Sequence, residues 1–527
     1  MGVRAVPDHR QHGRERPTLS AARQSFFDGH FEKCLELCDA ISLRDEATLL
    51  ELALLRARSH LRLDRAERAI DALRDCAFTP ASLDGYVSAQ MLHGDAYIRL
   101  GQLERGESLL IDAYERSLNA HPSVHAEATV NLGIALYFLR KHEAADEMLA
   151  STNPHADIIF VRALEFRGWI GFAQGNFDAA VCHFRNALSA IETCKHHDRF
   201  IEASVLQGLT SLCAELVRPD EWALMERRIR SFDWSAGGLA VKHFWIAIYA
   251  SMMCEIVGDD GGSRFWGREA ETVSTTSSYR AIAQCRIAAV FRGLGESAAH
   301  EEFIDRATAS YESADSRKLG NDQKQIPLFL AEESACAGRH DDARKFIAQY
   351  RDVIAPTLQR VPGDHRFVAL ENAVEASIAE SRGDRKEAVR LYQQAFTVFR
   401  DARHVRRASI IALRLARLTR LSRYVDYARD ALRVVSDRSW MAKLIAEFSA
   451  TESMQLTDTQ ISMLKLLVEG RTYKEIAHAR HRSWKTINNS VQALCLKFGV
   501  NGRAELAAEA LRRGIVAVTD DLPDAGN

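Results

Sequence analysis

Eight polar or basic residues near the C-terminus have the types and the spacing that nucleic-acid binding needs. Asn and Gln side chains can bond the N6 and N7 edge of adenine, and each good pair is worth about 1–3 kcal/mol of discrimination. Lys, Arg, Ser and Thr bind phosphate oxygens, assisted by the positive N-terminus of a helix. The predicted base-contacting residues are Asn488, Asn489 and Gln492, and the predicted backbone-contacting residues are Arg482, Ser483, Lys485, Thr486 and Lys497. These residues predict a surface for double-stranded DNA.

Four short helices are predicted to hold that surface, between residues 456 and 516. Apolar residues recur from Ile487 to Phe498 at spacings of 4, 3 and 4, which is typical of a helix with one buried face. Ser483 is predicted to cap this third helix. The other predicted boundaries are a cap at Thr457 or Asp458 and a stop at Gly470 for the first helix, a capping box from Thr472 to Glu475 for the second, a stop at Gly499 for the third and a start at Asn501 for the fourth. A short helix, a turn and a second helix with a polar face is the geometry that enters the major groove.

The same stretch resembles the LuxR/GerE family of helix-turn-helix regulators over about 60 of the 527 residues. Its matches to the family pattern are Leu456, Thr457, Leu464, Gly470, Lys474, Glu475, Ile476, Ala477, Ser483, Thr486, Ile487, Lys497, Val500, Arg503 and Ala504. The resemblance implies binding as a homodimer to a two-fold DNA site, with the fourth helix as the contact between copies. The helical repeats described below resemble the sensor arms of large members of this family.

Several positions depart from the family pattern. The departures are Thr459-Gln460 for the family's Arg-Glu, Ser490 for a frequent histidine, and Arg480 and Arg482 for two apolar residues. Because Arg480 and Arg482 replace apolar residues, we expect weaker packing between the second and third helices. Ala479 and the ring of Trp484 are candidates to compensate. Alternatively, the basic turn strengthens contact with the DNA backbone.

Composition favours a helical protein with two or more domains or a repeat array. The chain exceeds the length of one comfortable core, and Gly and Pro are scarce at 29 and 10 residues. Residues 456–516 contain ten Lys and Arg against five Asp and Glu, whereas the rest of the chain carries a net charge of −7. A small basic domain on an acidic body suits a polyanionic partner at one end only.

The sequence predicts a reducing, cytoplasmic location. Ten cysteines are scattered without CxxC pairs, which argues against a disulfide framework and a zinc ribbon. No run of 18 apolar residues is present, so no membrane span is expected. Residues 1–20 are basic and lack an apolar segment, which predicts a disordered tail instead of a secretion signal. Residues 517–527 are predicted to be an acidic tail.

Other candidates for chemistry have simpler structural interpretations. Cys34 and Cys38 share a helix face, but the repeat register places both in the core. The pair His196-His197 is interpreted as a solvated turn, and so are His121 and His125. No phosphate-binding loop, GxSxG or HExxH motif is present. We therefore expect no enzyme activity, no catalytic residue, no cofactor and no metal site.

A repeated pattern precedes the C-terminal domain, and its clearest copy runs from Gly168 to Ala187. It resembles the tetratricopeptide repeat, a helix–turn–helix unit of about 34 residues. The predicted turns lie near 29, 64, 101, 140, 175, 219, 258, 295, 338, 383 and 423. The spacing predicts a solenoid in the N-terminal half and a looser array of helical hairpins in the C-terminal half. Stacked hairpins leave a concave face for a peptide or a small ligand, or serve as a plain spacer.

The predicted architecture is all-α: a tetratricopeptide-like α-solenoid at 21–448, a linker at 449–455 and a four-helix helix-turn-helix domain at 456–516. The predicted function is a DNA-binding transcriptional regulator whose repeats bind a small-molecule or protein effector. The alternative is a repeat-protein adaptor or scaffold whose degenerate helix-turn-helix domain makes protein contacts.

Overall fold

The computed structural model describes residues 18–516 except 43–44, 75–81, 156, 316–318, 321–322, 355–364, 420, 434, 436, 453–455, 499 and 513–514. Over these residues the regular structure is helical and contains no strand, as the sequence predicts. The N-terminal helices are α1 Leu19–Phe27, α2 Phe31–Ala40, α3 Glu46–Arg62, α4 Ala66–Arg74, α5 Leu83–Arg99, α6 Leu103–Ser117, α7 Pro122–Phe138, α8 His142–Ala150, α9 Ile158–Ala173, α10 Phe177–Ile191, α11 Arg199–Leu216 and α12 Pro219–Ser231. They are followed by α13 Ala240–Val257, α14 Asp260–Thr272, α15 Ser277–Leu294, α16 Ser297–Glu312, α17 Ile326–Cys336, α18 His340–Gln349, α19 His365–Ser381, α20 Arg385–Asp401, α21 Val405–Thr419, α22 Ser422–Ala431 and α23 Trp440–Glu452. The C-terminal domain contains α24 Asp458–Val468, α25 Tyr473–Ala479, α26 Trp484–Phe498 and α27 Arg503–Arg512.

Helices α1 to α22 form antiparallel hairpins, and the ten hairpins from α1 to α20 share one kind of turn. The residues in the left-handed conformation at these turns are Gly29, Asp64, Gly101, Arg140, Gly175, Val217, Gly258, Gly295, Gly338 and Gly383, with φ between +57° and +83°. They lie within two residues of the predicted turns, and the chain between α21 and α22 lies within three residues of the last one. The C-terminal half therefore keeps the hairpin of the N-terminal half. Its looser spacing comes partly from long connections, such as the one between Glu312 and Ile326.

Small residues let the two helices of a hairpin pack closely in the first repeats. A Cβ atom at Gly168 would lie 2.8 Å from the ring of Phe184, which is fully buried. The same register recurs where Gly94 faces Leu110 and where Gly133 faces Leu149. A side chain on any of these glycines would force the helices apart. The predicted repeat register from Gly168 to Ala187 is confirmed.

The solenoid curves until its last hairpins meet its middle ones. One apolar core extends from Val161 to Met441. The polar contacts that close the turn are Arg403 to Asp178 at 3.0 Å, His404 to Glu215 at 2.8 Å, Arg406 to Glu255 at 3.1 Å and Trp440 Nε1 to Glu255 at 2.7 Å. These residues are between 151 and 225 positions apart in the chain.

One segment of the described chain, Gly237–Val257, is long and apolar enough to span a membrane, with a mean hydropathy of 1.3. The sequence predicted no membrane span, because polar residues such as Lys242 and His243 interrupt the apolar run of this segment. The structure buries 61% of the most apolar window inside the protein. Helix α13 packs against α11 and α14, so it occupies the core of the solenoid.

The other candidates for chemistry have the following positions. Cys34 and Cys38 are fully buried in α2, as the repeat register predicts. His196 and His197 are exposed in the turn before α11, which confirms the prediction of a solvated turn. The same prediction is wrong for His125, which is half-buried within α7 because its Nδ1 lies 2.8 Å from the Ser117 hydroxyl.

Two predicted boundaries move. Helix α23 continues to Glu452, into the predicted linker, because its apolar pattern reaches Phe448 against the core. Helix α1 begins at Leu19, where the Thr18 hydroxyl accepts a hydrogen bond from Ala21 N. Most of the predicted basic tail and all of the acidic tail at 517–527 lie outside the described residues.

Candidate nucleic-acid interface

The C-terminal domain is built of the four predicted helices around a small apolar core. The fully or nearly fully buried members of that core include Met463, Leu464, Leu467, Ile476, Ile487, Val491, Leu494, Phe498, Leu506 and Ala510. The buried face of α26 contains the apolar residues whose spacing predicted this helix. Gly470 has a φ of +80° and follows the end of α24, where an L-residue would be strained. The predicted stop at Gly499 lies outside the described residues.

Reciprocal capping boxes begin the first two helices of the domain. The Thr457 hydroxyl accepts from Gln460 N at 3.3 Å, and the Gln460 side-chain oxygen accepts from Thr457 N at 3.0 Å. Thr472 and Glu475 form the same pair, with distances of 3.3 and 2.6 Å. The backbone hydrogen bond from Thr472 lowers the pKa of Glu475. Gln460 therefore preserves the cap of α24, although it departs from the family's glutamate.

Helix α26 presents its polar residues in a defined order. Ser483 caps it by accepting a hydrogen bond from Thr486 N at 3.1 Å. Lys485, Asn489 and Gln492 are exposed and lie on the face opposite the buried one. Asn488 is half-buried on one flank of the helix. Thr486 and Lys497 are exposed on the other flank, and Arg482 is exposed before the helix. One helix thus brings an outward stripe of three predicted residues together.

Two positive charges at the start of α26, those of Arg482 and Lys485, are available to a polyanion. In the described part of the domain, no carboxylate lies within 4.0 Å of a nitrogen of Arg482 or Lys485. Both residues are at the N-terminus of α26, where the helix dipole and the first backbone N–H groups also favour an anion. The arrangement suits phosphate contact near the turn and base contact along the stripe.

Arg480 replaces an apolar residue by a polar bridge. Its Nη1 donates to the carbonyl oxygen of Thr459 at 2.6 Å, which joins the end of α25 to the first turn of α24. Ala479 is exposed and Trp484 is 52% exposed, so neither fills the space left by an apolar residue. Neither candidate for compensation belongs to the apolar core of the domain. The guanidinium of Arg480 links α25 to α24, so weaker packing between α25 and α26 stays a prediction.

Arg503 links the last helix of the domain to the turn that follows the first one, a role that its place in the sequence did not predict. Its Nη2 donates to the carbonyl oxygens of Gly470 and Arg471 at 2.9 and 2.5 Å. Its guanidinium carbon also lies 5.6 Å from the centre of the Tyr473 ring. Arg503 therefore binds the C-terminal end of α24 from the first turn of α27. The one signal in the sequence was the match of Arg503 and Ala504 to the family's Arg-Ala motif, which does not indicate a structural role.

Helix α27 leaves one apolar stripe exposed. Ala504, Ala508 and Leu511 follow each other at spacings of 4 and 3, and Leu511 is 38% exposed. The opposite face, with Leu506 and Ala510, is fully buried against the domain core. The described residues contain no group of three or more His, Cys, Asp or Glu side chains that could hold a metal ion.

Residues 454–510 match the family described as bacterial regulatory proteins, luxR family. The chain is similar to the spore germination protein GerE of Bacillus subtilis (strain 168), with 39% identity over 59 residues that cover 11% of this chain and 80% of that protein. The structure is similar to the apo form of the quorum sensor NprR from B. thuringiensis, with a TM-score of 0.39 and 11% identity over 72% of this chain and 96% of that chain. It is also similar to the apo form of RapI, with a TM-score of 0.40 and 11% identity over 76% of this chain and 98% of that chain.

Proposed function

Because the chain belongs to the luxR family of bacterial regulatory proteins, we propose that it binds double-stranded DNA and regulates transcription in the cytoplasm. The observation that carries the proposal is the outward stripe of Lys485, Asn489 and Gln492 on α26. The stripe is exposed, Ser483 caps the helix, and the opposite face of the helix packs its apolar side chains in the core of the domain. Membership of this family supports a regulatory role.

The base-contacting residues of the proposal are Asn489 and Gln492, with Asn488 contributing from the flank. Arg482, Ser483, Lys485, Thr486 and Lys497 are the proposed phosphate contacts. Phosphate contacts orient a protein on the duplex, whereas amide side chains on base edges select the sequence. The solenoid is proposed to bind an effector that controls the DNA-binding domain.

The protein is proposed to bind its site as a homodimer through α27. The exposed stripe of Ala504, Ala508 and Leu511 supports this contact, because small residues let two helices approach closely. Ala508→Glu places a charge in that contact. We expect the variant to bind a single half-site as the native chain does and to lose the tighter binding to a two-fold site.

A binding experiment with the full-length protein tests the function. Genomic fragments are enriched on the immobilised protein, and the selected duplex is then titrated over a salt series. A DNA-binding protein loses affinity steeply with salt, with a slope of about −0.9 per neutralised phosphate. Absence of binding at low salt by a folded protein would reject the proposal.

Two substitutions separate the proposed roles. Lys485→Ala should weaken binding to all sequences and reduce the salt slope by about one, because one phosphate contact is lost. Asn489→Ala should instead relax the sequence preference at one position, at a cost of about 1–3 kcal/mol. The control is Lys33→Ala, which removes the same charge from an exposed position on α2. Identical effects of the first two variants would contradict the division of roles.

The adaptor alternative also has an observation in its favour. Leu496 is 85% exposed on the same side of α26 as the polar stripe. In helix-turn-helix proteins, the N-terminal residues of this helix contact the bases, so the C-terminal Leu496 is free to pack on a protein. If Leu496→Ser abolishes capture of a partner protein and leaves DNA binding unchanged, the domain makes both kinds of contact. If no DNA binding is found, the adaptor function replaces the regulator.

A further inference from the structure

The concave side of the solenoid encloses a cavity of about 580 Å³. Its walls come from the first helix of successive hairpins, α7 to α21, from Tyr392 and Phe399 of α20, and from Trp440 at the start of α23. A volume between about 300 and 1,000 Å³ is typical of sites for small molecules. The cavity exists because the solenoid closes on itself. Without this closure, the cavity side of α21 would face solvent.

One side of the cavity is lined by arginines of α21. Arg406, Ile410 and Arg414 follow each other at intervals of four residues, so they share one face of the helix, with Arg407 beside it. Over the whole lining, seven Lys and Arg side chains stand against four Glu. The excess of positive charge is enclosed among helices, where it is screened less than at a surface.

The arginines of α21 keep hydrogen-bonding capacity. The Nε of Arg406 is buried and has no hydrogen-bond partner, although its Nη2 donates to Glu255. Arg414 donates to the Tyr392 hydroxyl at 2.7 Å and to Cys336 Sγ at 3.3 Å, with no carboxylate within 4.0 Å among the described residues. The nearest carboxylate to Arg407 is Glu332, at 3.9 Å. A guanidinium has five donors, and a buried donor without an acceptor is unfavourable.

The cavity also carries a large aromatic surface. The lining includes ten Phe, Trp and Tyr side chains. On α13, Trp245, Tyr249 and Met252 line it together, and on α9 Trp169 and Phe172 extend this surface. Flat aromatic walls with a few polar groups favour a ligand with a ring system or another apolar body.

We propose that this cavity binds a small organic anion, with its acidic group against the α21 arginines and its apolar body against the aromatic residues of α9 and α13. Carboxylate, sulfonate and phosphate groups share the planar or branched oxygen arrangement that guanidinium groups bind in pairs. The binding itself is independent of DNA. Its role as the effector of transcription rests on the proposed function.

The same cavity is joined to the DNA-binding end of the chain through Glu255. This carboxylate accepts from Arg286, Arg406 and Trp440 Nε1, with distances of 2.6, 3.1 and 2.7 Å. An anion bound at Arg406 changes the charge balance around Glu255 and hence around its bond to Trp440. Trp440 begins α23, the last helix before α24. Occupancy of the cavity thus acts on the element that precedes the DNA-binding domain.

Fluorescence titration of the full-length protein tests the site with two probes of one shape. 8-Anilinonaphthalene-1-sulfonate is an aromatic anion, and N-phenyl-1-naphthylamine has the same rings without the sulfonate. We expect the anion to bind one per chain, with energy transfer from tryptophan, and to bind more tightly than the neutral probe. Saturation with many anions per chain, or equal affinity for both probes, would overturn the proposal.

Substitutions then place the probe in the cavity. Arg414→Met and Arg407→Met should each weaken binding of the anion about tenfold, which is the loss of one charge-assisted hydrogen bond. The affinity of both variants for the neutral probe should stay within about twofold of that of the native chain. Arg344→Met, on the exposed surface of α18, is the matched control and should change neither. Arg407→Met keeps the test valid if the buried Arg414→Met fails to fold, and an equal loss in the Arg344 variant would reject the site.

Retardation of the selected duplex is measured on the same proteins. Probe binding without DNA binding would reject the proposed function and leave the cavity site intact. DNA binding without specific binding of the anion would reject the cavity site alone. A change of DNA affinity on saturation with the anion, absent in Arg407→Met, would link the two.

Discussion

The protein presents positive charge in two opposite ways. On α26 and just before it, Arg482, Lys485, Asn489 and Gln492 are exposed, and in the described part of the domain no carboxylate lies within 4.0 Å of a nitrogen of Arg482 or Lys485. In the cavity the arginines are enclosed, come from helices far apart in the chain and share carboxylates such as Glu255. The first arrangement suits a large, hydrated polyanion. The second suits a small anion that loses its water on binding.

The two regions also differ in what holds them together. The DNA-binding domain relies on local contacts, namely two capping boxes and the bonds from Arg503 to the end of α24. The cavity relies on contacts between residues up to 225 positions apart. Substitutions in the domain should therefore have local effects, whereas substitutions in the cavity should destabilise the solenoid as a whole.

The largest effect is expected for Glu255→Ala. The substitution leaves Arg286 and Arg406 as buried charges without their shared carboxylate and removes the acceptor of Trp440. We expect a loss of about 3–5 kcal/mol in the free energy of unfolding. Urea denaturation followed by tryptophan fluorescence measures it, because six of the seven tryptophans precede residue 456. Asp341→Ala, whose side chain is 94% exposed beside Arg344, is the control and should show little change. An equal loss of unfolding free energy in both variants would contradict the view that long-range contacts of the cavity stabilise the solenoid.

Acid should act on the same network. Burial raises the pKa of Glu255, but the positive charges of Arg286 and Arg406 outweigh this effect and lower the pKa to about 2. The value in the unfolded chain is about 4.3, so the charged form stabilises the fold above that pH. The contribution is lost as pH falls from about 4.3 towards 2. We expect the urea midpoint of the native chain to fall in this range and that of Glu255→Gln, which is already lower at neutral pH, to fall less. Parallel curves for the two proteins would exclude Glu255 as a cause.

A smaller and local effect is expected for Arg503→Met. It removes a guanidinium that binds two carbonyl oxygens at the end of α24, which are charge-assisted bonds worth about 1.5–3 kcal/mol. Hydrogen–deuterium exchange should rise in peptides from 457–512 and stay unchanged in the solenoid. Arg344→Met serves again as the control. Increased exchange throughout the solenoid would show that the two regions are not independent in the way their contacts indicate.

This difference in contact range explains what the sequence could predict. The spacing from Ile487 to Phe498 fixes the buried face of α26, and therefore its outward face, without any distant contact. The turns of the solenoid were also predicted, because ten of them contain a left-handed residue and glycine occupies most of these positions. Asn488 was expected to contact bases from the outward face, but it is half-buried on the flank of α26, where the buried and the exposed face meet.

The cavity had no such local pattern. Glu255 and Trp440 are 185 residues apart, and only the closure of the solenoid brings them together. In the sequence, Arg406 and Arg414 are indistinguishable from arginines on a solvated helix face. Arg480 was expected to weaken the packing of the second helix of the domain on the third. Its long side chain also reaches the first helix, at the carbonyl oxygen of Thr459, a contact that no pattern of apolar residues predicts.

The smallest effect is expected at His481, whose turn has the same left-handed conformation as most turns of the solenoid. His481, between α25 and α26, has a φ of +50°, the same left-handed conformation that glycine adopts at most turns of the solenoid. An L-residue there is strained by about 1–2 kcal/mol, and the greater freedom of an unfolded glycine offsets about 0.5–1 kcal/mol of any relief. His481→Gly should therefore stabilise the domain by at most about 1.5 kcal/mol, seen as slower exchange in 457–512. Its DNA affinity should stay the same, because the predicted contacts lie at 482 and beyond; a marked loss of affinity would extend the phosphate-binding surface into the turn.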